Sequence, residues 1–193
     1  MLKRRLPLIL LLLGMKSAVA SDFKPGRQYT LSGGVGFSKM DGTNSDMRTL
    51  LPRADLFIDN YLTENQGTFL GVGYAGRGFK LGSPTSTASF LDIPFGFVSR
   101  SDGGVFGDIQ IRVGGVIGAA LTDFSGDLPL TFSNESRTFF GLYVDVGFQY
   151  QISEGMALGY RIWSKDGITD VIPTAAGARG QVRELGVGVD LRF

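Results

Sequence analysis

The sequence contains neither cysteine nor histidine among its 193 residues. Without cysteine the chain forms no disulfide, so an exported form must be held together by other means. Without histidine it lacks the usual general base of serine and cysteine hydrolases, the commonest metal ligand and the usual pH switch. These absences argue against Ser-His and Cys-His enzymes, and we expect no catalytic residue, no metal and no cofactor.

Long hydrophobic runs are missing after the first twenty residues. A membrane-spanning helix needs about 18 to 20 consecutive apolar residues, and the longest candidate, 113–121, is far shorter. The first twenty residues combine a basic start, an apolar stretch at 6–13 and a small-residue site at 18–20, which is the layout of a secretory signal. We therefore predict a cleaved signal peptide over 1–20 and a single domain over 21–193.

An excess of basic residues is also missing. The predicted signal peptide holds four of the 19 basic residues and none of the 18 acidic ones, so the remaining chain has a net charge of −3. A basic patch is the usual electrostatic footprint of nucleic-acid binding. The sequence therefore predicts no nucleic acid as a partner.

Alternating apolar and small or polar residues are what the sequence does contain. In the last segment Leu185, Val187 and Val189 alternate with Gly186 and Gly188, and seven earlier segments repeat the pattern. Side chains of a strand alternate between two faces, and strands of about 9 to 11 residues cross a bilayer when tilted. The pattern predicts an all-β fold, an eight-stranded antiparallel up-and-down transmembrane β-barrel.

The predicted connections alternate between long and short. The long ones are rich in Gly, Ser, Thr, Asn, Asp and Pro and lie at 39–49, 79–89, 121–136 and 164–180. With an even number of strands, all the long connections fall at one end. This arrangement is typical of bacterial outer-membrane barrels, which have long external loops and short periplasmic turns.

Glycine on the polar face favours a membrane barrel over a soluble, lipocalin-like barrel, which would show the same alternation with its apolar face inside. The interior of an eight-stranded barrel barely holds its side chains, so small residues belong there. Twelve glycines fall on this face, namely Gly34, Gly36, Gly71, Gly73, Gly96, Gly114, Gly118, Gly141, Gly147, Gly159, Gly186 and Gly188.

Aromatic residues near the strand ends favour the same orientation, because membrane barrels carry an aromatic girdle at each interface. The reverse orientation would expose Arg112 and Arg161 to lipid, at about 2–4 kcal/mol each near the midplane. We assign to the two girdles Tyr29, Phe97, Phe106, Tyr150 and Phe193 at one end and Phe37, Phe79, Phe90 and Phe140 at the other.

Twelve charged residues fall on the inward face. Unpaired charge in a narrow interior is expensive, so we expect them to form a salt-bridged plug; an ion path is the alternative. The predicted network consists of Arg53, Asp55, Asp59, Arg77, Asp92, Asp108, Arg112, Asp145, Arg161, Glu184, Asp190 and Arg192. Trp163, at the edge of the last long connection, is also predicted to point inward.

Two short motifs suggest binding sites. GVGYAG, at 71–76, matches G-x-G-x-x-G, but that motif binds dinucleotides only between a strand and a helix, and here it lies within an alternating strand. DGTNSD, at 41–46, lacks the Gly at position 6 and the Glu at position 12 of an EF-hand loop. We interpret the first as inward glycine packing and the second as a polar loop.

The alternating final strand with its terminal aromatic, Leu185, Val189, Leu191 and Phe193, resembles the assembly signal of Gram-negative outer-membrane barrels. Four segments are similar to the PorT-type outer membrane protein β-barrel family and to OmpA/OmpX-like small barrels: FLDIPFGF, IQIRVGGVIGAAL, FFGLYVDVGFQYQISEGMALGYRIWSKDGITDV and the final strand. This resemblance implies a porin-like cell-envelope protein of the outer membrane, recognised at those four residues by the barrel-assembly machinery. These families share no catalytic residues.

The sequence as a whole predicts an integral, monomeric outer-membrane protein whose main partner is the lipid bilayer. Its predicted role is non-enzymatic, either structural or in surface interaction, with an extracellular partner meeting the loops 121–136 and 164–180. The alternatives are a narrow pore, a carrier of small or lipophilic solutes and, if the chain is soluble, a lipocalin-like binder.

Overall fold

The computed structural model describes residues 24–41, 50–80, 83, 85–104, 107–127, 137–169, 172–173 and 179–193. Eight long strands and two two-residue strands make up the described fold. They are β1 (Gly26–Asp41), β2 (Leu50–Tyr61), β3 (Gln66–Lys80), β4 (Thr85–Asp102), β5 (Asp108–Ala120), β6 (Ser125–Gly126), β7 (Thr138–Ser153), β8 (Met156–Gly167), β9 (Ile172–Pro173) and β10 (Arg179–Arg192).

The eight long strands form a closed antiparallel barrel, as predicted. Each pairs with its neighbour in the order β1-β2-β3-β4-β5-β7-β8-β10, and β10 returns to pair with β1. The closing ladder runs from Thr30 opposite Arg192 to Asp41 opposite Gln181. Within the described ranges, no helix is long and apolar enough to cross a membrane.

Large apolar side chains cover the outside of the barrel. They come from every long strand and are between about a third and three quarters exposed, for example Leu31 at 51% and Phe97 at 76%. A band of this size is found on soluble monomers only as an interaction surface. The outward apolar face fits a membrane barrel and rules out the soluble, lipocalin-like alternative, which needs its apolar face inside.

Glycine makes room for the largest inward side chain, Trp163, which is 1% exposed and points inward as predicted. A Cβ atom at Gly186 would overlap the Trp163 indole ring, and one at Gly34 would lie 2.8 Å from the same ring. The motif at 71–76 lies inside β3. Its Gly71 faces the Phe57 ring, which a Cβ would approach to 2.8 Å.

The two ends of the barrel differ in their connections. At the short-turn end, where β1 begins and β10 ends, the connections are 62–65, 103–107 and 154–155. At the long-loop end, the predicted loop 79–89 is wrong, because β3 continues to Lys80 and β4 begins at Thr85. The prediction 164–180 also begins too early, since β8 continues to Gly167. In both places the strands extend past the apolar residues.

Phe79 and Phe90 do not belong to the aromatic girdle; that prediction is wrong. Both are buried inside the long-loop end, where they pack with Phe139 and with Phe124 from the β5–β7 connection. The ring centroids of Phe79 and Phe124 are 5.3 Å apart, and those of Phe90 and Phe139 are 6.1 Å apart. We call these four residues the aromatic cluster. The strand alternation runs on through 79 and 90, which places both rings inward.

The β5–β7 connection begins as an ordered extension of the sheet, the rim segment, residues 121–127. Beyond the end of β5, β6 pairs with Ser86 and Thr87 of β4. Asp127 accepts hydrogen bonds from the backbone N and the Oγ1 of Thr85 at 3.0 and 3.2 Å. These contacts fix the backbone that inserts Phe124 into the aromatic cluster.

Several predicted features lie outside the described residues. They are the signal peptide at 1–20, all but the first residue of the polar loop at 41–46, the girdle residue Phe106, residues 128–136 of the loop 121–136, and residues 170–171 and 174–178 of the loop 164–180. The other predicted girdle residues, Tyr29, Phe37, Phe97, Phe140 and Phe193, are exposed on the outside, and Tyr150 is half-buried there.

Candidate functional site

The interior of the barrel is filled by charged side chains. Among the described residues, seven cationic and seven anionic side chains are buried, so the interior charges balance. All twelve residues of the predicted network lie there, and Arg100 and Lys165 join them. The set is Arg53, Arg77, Arg100, Arg112, Arg161, Lys165, Arg192, Asp55, Asp59, Asp92, Asp108, Asp145, Glu184 and Asp190.

Toward the long-loop end, two arginines share two acids across the lumen. Arg77 binds both oxygens of Asp92, at 2.9 and 2.5 Å, and donates through Nε to Glu184 at 2.8 Å. Arg53 donates to Glu184 at 2.9 Å and to Asp92 at 3.2 Å. Lys165 donates to Asp92 at 2.7 Å. These bonds link β2, β3, β4, β8 and β10.

In the middle of the barrel, Arg112 and Arg161 occupy the lumen. Arg112 binds Asp59 through both Nε and Nη2, at 2.9 and 2.7 Å. Arg161 donates to Asp145 at 2.8 Å and also to Asp55. Paired, doubly hydrogen-bonded geometry of this kind is what allows a guanidinium to remain charged away from water. The pairs connect β5 and β8 to β2 on the opposite wall.

Aromatic rings pack against the guanidinium groups of these ion pairs. The guanidinium carbons of Arg112 and Arg161 lie 4.3 and 4.9 Å from the centre of the Phe57 ring. Trp163 donates its indole N–H to Glu184 at 2.8 Å. Cation–π contacts add to the stability of desolvated arginines. Charged groups and rings together occupy the cross-section.

At the short-turn end the closure is looser. Arg192 and Asp108 pair at 3.5 Å with side chains that are 11% and 8% exposed. Arg100 lies over the Tyr61 ring, 3.8 Å from its centre, and its Nε donates to the carbonyl of Glu64 at 2.7 Å. Most of the interior charges are less exposed than Arg192 and Asp108.

Arg100 and Lys165 were not predicted to point inward, although the sequence contains two indications that they do. The twelve predicted charges sum to −2, with five arginines against seven acids, and an interior without counter-charge would be unstable. Continuing the alternation from Arg161 and Trp163 leads to position 165, and continuing it from Gly96 leads to position 100. Position 165 falls instead in the predicted connection 164–180, and position 100 lies just after the alternating segment FLDIPFGF.

The arrangement has the chemistry of a structural core. The hydroxyl of Ser32 donates to Asp190, and that of Ser38 donates to the carbonyl of Gly78 at 2.7 Å. The Ser32 hydroxyl is thus held by a carboxylate that also pairs with Arg161, and the Ser38 hydroxyl by a backbone carbonyl. In the described part of the chain, no three acidic side chains converge as a cation site.

The four predicted recognition residues of the last strand lie on its outward face. Leu185, Val189 and Phe193 are about half exposed, and Leu191 is partly covered. The backbone of Phe193 exchanges two hydrogen bonds of 2.9 Å with Tyr29 of β1, and the two rings stack at 6.1 Å. The aromatic end of β10 thus lies against the beginning of the first strand.

The chain matches a known protein family and several solved structures. A family model described as "Outer membrane protein beta-barrel domain" covers residues 7–193. No curated protein matches the sequence. Among solved structures, Ail, the attachment invasion locus protein of Yersinia pestis, is 12% identical with a TM-score of 0.50, covering 88% of this chain and 100% of that one.

Two further structures are similar to the same degree. Neisserial surface protein A is 13% identical with a TM-score of 0.51, and the match covers 87% of this chain and 97% of that one. The outer membrane protein OprG from Pseudomonas aeruginosa is 15% identical with a TM-score of 0.50, covering 88% and 97%. At such low identity these similarities establish the fold alone.

Proposed function

We propose a function on the premise that the chain belongs to the outer membrane protein beta-barrel domain family. Its barrel lies in the bacterial outer membrane, with the apolar outer face in lipid. Within that setting we propose a non-enzymatic role, structural or in surface interaction through the external loops. The observation that carries the proposal is the interior, where paired charges and rings bridge the barrel walls at several levels.

Because charges and rings bridge the lumen, we place binding at the long-loop end, which is the external end in this class of barrel. There the rim segment is held by hydrogen bonds to β4 and by the burial of Phe124. Binding loops are commonly positioned by a rigid scaffold in this way. An extracellular partner would meet the loops 121–136 and 164–180. The rim segment, which is the first part of the loop 121–136, would give that loop a defined orientation.

The absence of histidine supports a non-enzymatic role, as does the burial of Ser32 and Ser38, each 2% exposed, which keeps their hydroxyls away from a substrate. The alternative of a narrow pore would need mobile water along the whole axis. The aromatic cluster closes one end, and Arg53, Arg77 and Asp92 bridge the lumen beneath it. Both features disfavour steady conduction.

The remaining proposals concern biogenesis. We propose that Leu185, Val189, Leu191 and Phe193 are recognised by the barrel-assembly machinery, and that the folded protein is a monomer. Their outward position on β10 would leave them available before the barrel closes. Closure then removes the free strand edges, which have no hydrogen-bond partners in lipid.

The test uses a strain that lacks the protein. It is complemented with wild type, with a loosened rim segment (Phe124→Ala with Asp127→Ala), or with Asp102→Ala at the short-turn end as the matched control. Adherence of the cells to surfaces and host-cell layers, and entry of a large antibiotic, are compared at equal levels of folded barrel. We expect the rim variant alone to be impaired.

Two results would contradict the proposal. If the rim variant matches wild type in both assays, the external end carries no function. If the purified wild-type protein gives steady single-channel currents in a planar bilayer, the pore alternative is correct. Absence of current together with an impaired rim variant supports a surface role.

A further inference from the structure

Two basic residues face each other on the outside of the barrel, at the long-loop end of the closing ladder. Lys39 of β1 and Arg183 of β10 are register partners. In the ladders of the described ranges, no other register pair consists of two cations. Directly opposite side chains lie about 4.5–5.5 Å apart, and like charges there are destabilising. An anion in contact with both side chains would remove this repulsion.

Asp166 of β8 faces Arg183 from the other side. The two are register partners, and the carboxylate lies 3.5 Å from Nε of Arg183. Their side chains are 54% and 50% exposed, and exposed ion pairs contribute at most about 1 kcal/mol. β10 separates Asp166 from Lys39 by two interstrand spacings, about 10 Å. The Asp166 contact is therefore weak enough for another anion to compete for the arginine.

The surface next to the two cations is apolar and faces lipid. The next outward register pair toward the membrane is Phe37 with Leu185, which are 40% and 46% exposed. This step is two residues, or about 7 Å along the strand, and Phe37 is one of the outward girdle aromatics. Lys39 and Arg183 therefore lie at the level of lipid headgroups, beside a surface that contacts acyl chains.

This position favours a lipid phosphate as the anion. The long-loop end is the external end in this class of barrel, so the two cations face the outer leaflet. A guanidinium binds phosphate through paired hydrogen bonds, and a lysine ammonium binds it as a point charge. A phosphate group has enough oxygens to contact Arg183 and Lys39 together, whereas the Asp166 carboxylate faces Arg183 alone.

We propose that Lys39 and Arg183 form a binding site for the phosphate of an outer-leaflet lipid whose acyl chains lie along Phe37 and Leu185. The phosphate bridges the first and last strands of the barrel, and Asp166 competes with it for Arg183. The site lies on the lipid-facing wall, so it is independent of the surface role proposed for the loops.

The test measures the binding of lipid A, an acylated sugar phosphate, to the purified full-length barrel in detergent by native mass spectrometry. We expect one lipid to bind wild type more tightly than any further lipid. Lys39→Gln with Arg183→Gln should weaken that binding about tenfold or more, since hydrogen bonds to charged groups contribute about 1.5–3 kcal/mol. Lys80→Gln with Arg137→Gln is the matched control, because it removes the same charge at the same end and should change binding little.

Asp166→Asn gives an expectation in the opposite direction. Without the competing carboxylate, lipid A should bind about two- to fivefold more tightly, which is the factor that corresponds to an exposed ion pair. Asp123→Asn is the control, because it removes the same charge from the exposed Arg137–Asp123 pair, which spans 3.2 Å. It should leave the affinity unchanged. These single, exposed substitutions keep the test available if the double variant folds poorly.

Three results would overturn the proposal. Equal weakening in the two double variants would show that lipid A responds to the overall charge of this end. Equally tight binding of dephosphorylated lipid A would show that the phosphate is not recognised. Displacement of lipid A by an equal concentration of inorganic phosphate would show that the pair binds the free anion and no lipid.

Discussion

At the scale of single residues, Gly186 of β10 and Trp163 of β8 illustrate how the interior is filled. They are register partners, and the indole lies where a Gly186 side chain would be. Gly186→Ala would force the ring to move, weakening its hydrogen bond to Glu184. We expect a loss of about 1–3 kcal/mol in the free energy of unfolding, as for overpacked cores. Urea unfolding in lipid vesicles, followed by heat-modifiable gel migration, measures it.

Gly147→Ala is the control for this prediction, because its added methyl group meets nothing within 3.7 Å. A change within about 0.5 kcal/mol is expected there, as at sites without a steric conflict. Similar losses in the two variants would show that the cost does not arise from the overlap with the indole.

Arg161 provides the second prediction at this scale. It pairs with Asp55, Asp145 and Asp190, so Arg161→Met leaves several buried acids with fewer partners. Removing one partner of a buried ion pair typically costs about 3–5 kcal/mol. Arg183→Met is the control, because Arg183 pairs with Asp166 on the half-exposed outer face at 3.5 Å, and exposed pairs contribute at most about 1 kcal/mol. Equal losses in the same urea assay would show that the interior pairs are no stronger than surface pairs.

At the scale of elements, the closing strand β10 allows the assembly of the barrel in cells to be tested separately from the stability of the folded barrel. We expect Phe193→Ala to lower the yield of folded barrel in the outer membrane, because it removes both the stack on Tyr29 and a proposed recognition residue. Refolding of the purified variant into detergent, where no machinery acts, should be nearly normal. Heat-modifiable migration of both samples provides the measurement.

The control for the closing strand is Phe97→Ala on β4. Phe97 is also an aromatic on the outside near the short-turn end, and it is more exposed than Phe193, at 76% against 52%. Its replacement should leave the yield in cells near that of wild type. If both variants fail equally, in cells and in detergent, interfacial anchoring explains the effect and the recognition proposal is wrong.

The strands were predictable because alternation is a local property of the chain. The ends of β3 and β4 were not, since the apolar residues stop while the backbone pairing continues. Residues 85–89 are polar or small and were predicted as loop, yet they pair with β3 on one side, and Ser86 and Thr87 pair with β6 on the other. That pairing depends on the fold of the rim segment, which local sequence does not encode.

The interior network was predictable as a set but not as pairs. Alternation gives the face of each charge, whereas the partner depends on how the strands are staggered around the barrel. Arg53 and Glu184 are 131 residues apart and meet at 2.9 Å. Only the register of the closed barrel brings them together. The charge imbalance of the predicted set and the continued alternation both indicated that two basic residues, Arg100 and Lys165, were missing.

At the scale of the whole molecule, the barrel inverts the usual distribution of polarity, with charge inside and apolar residues outside. The stability cost of a charged substitution on the outward face therefore depends on how deep the residue lies in the bilayer. Val187 lies on the outward face of β10 between Arg183 and Phe193 and is 48% exposed. Val187→Arg should cost about 2–4 kcal/mol, the value for a charge near the midplane.

Ser99→Arg tests the same charge near the short-turn end, where Ser99 is exposed on β4 two residues beyond Phe97. Near an interface the expected cost is only about 0–1 kcal/mol. Urea unfolding in lipid vesicles should separate the two variants, and transfer to a short-chain detergent should narrow the difference, because a thinner apolar layer lets the Val187→Arg side chain reach water. Equal costs in vesicles would place Val187 near an interface and would shift the membrane along the barrel axis.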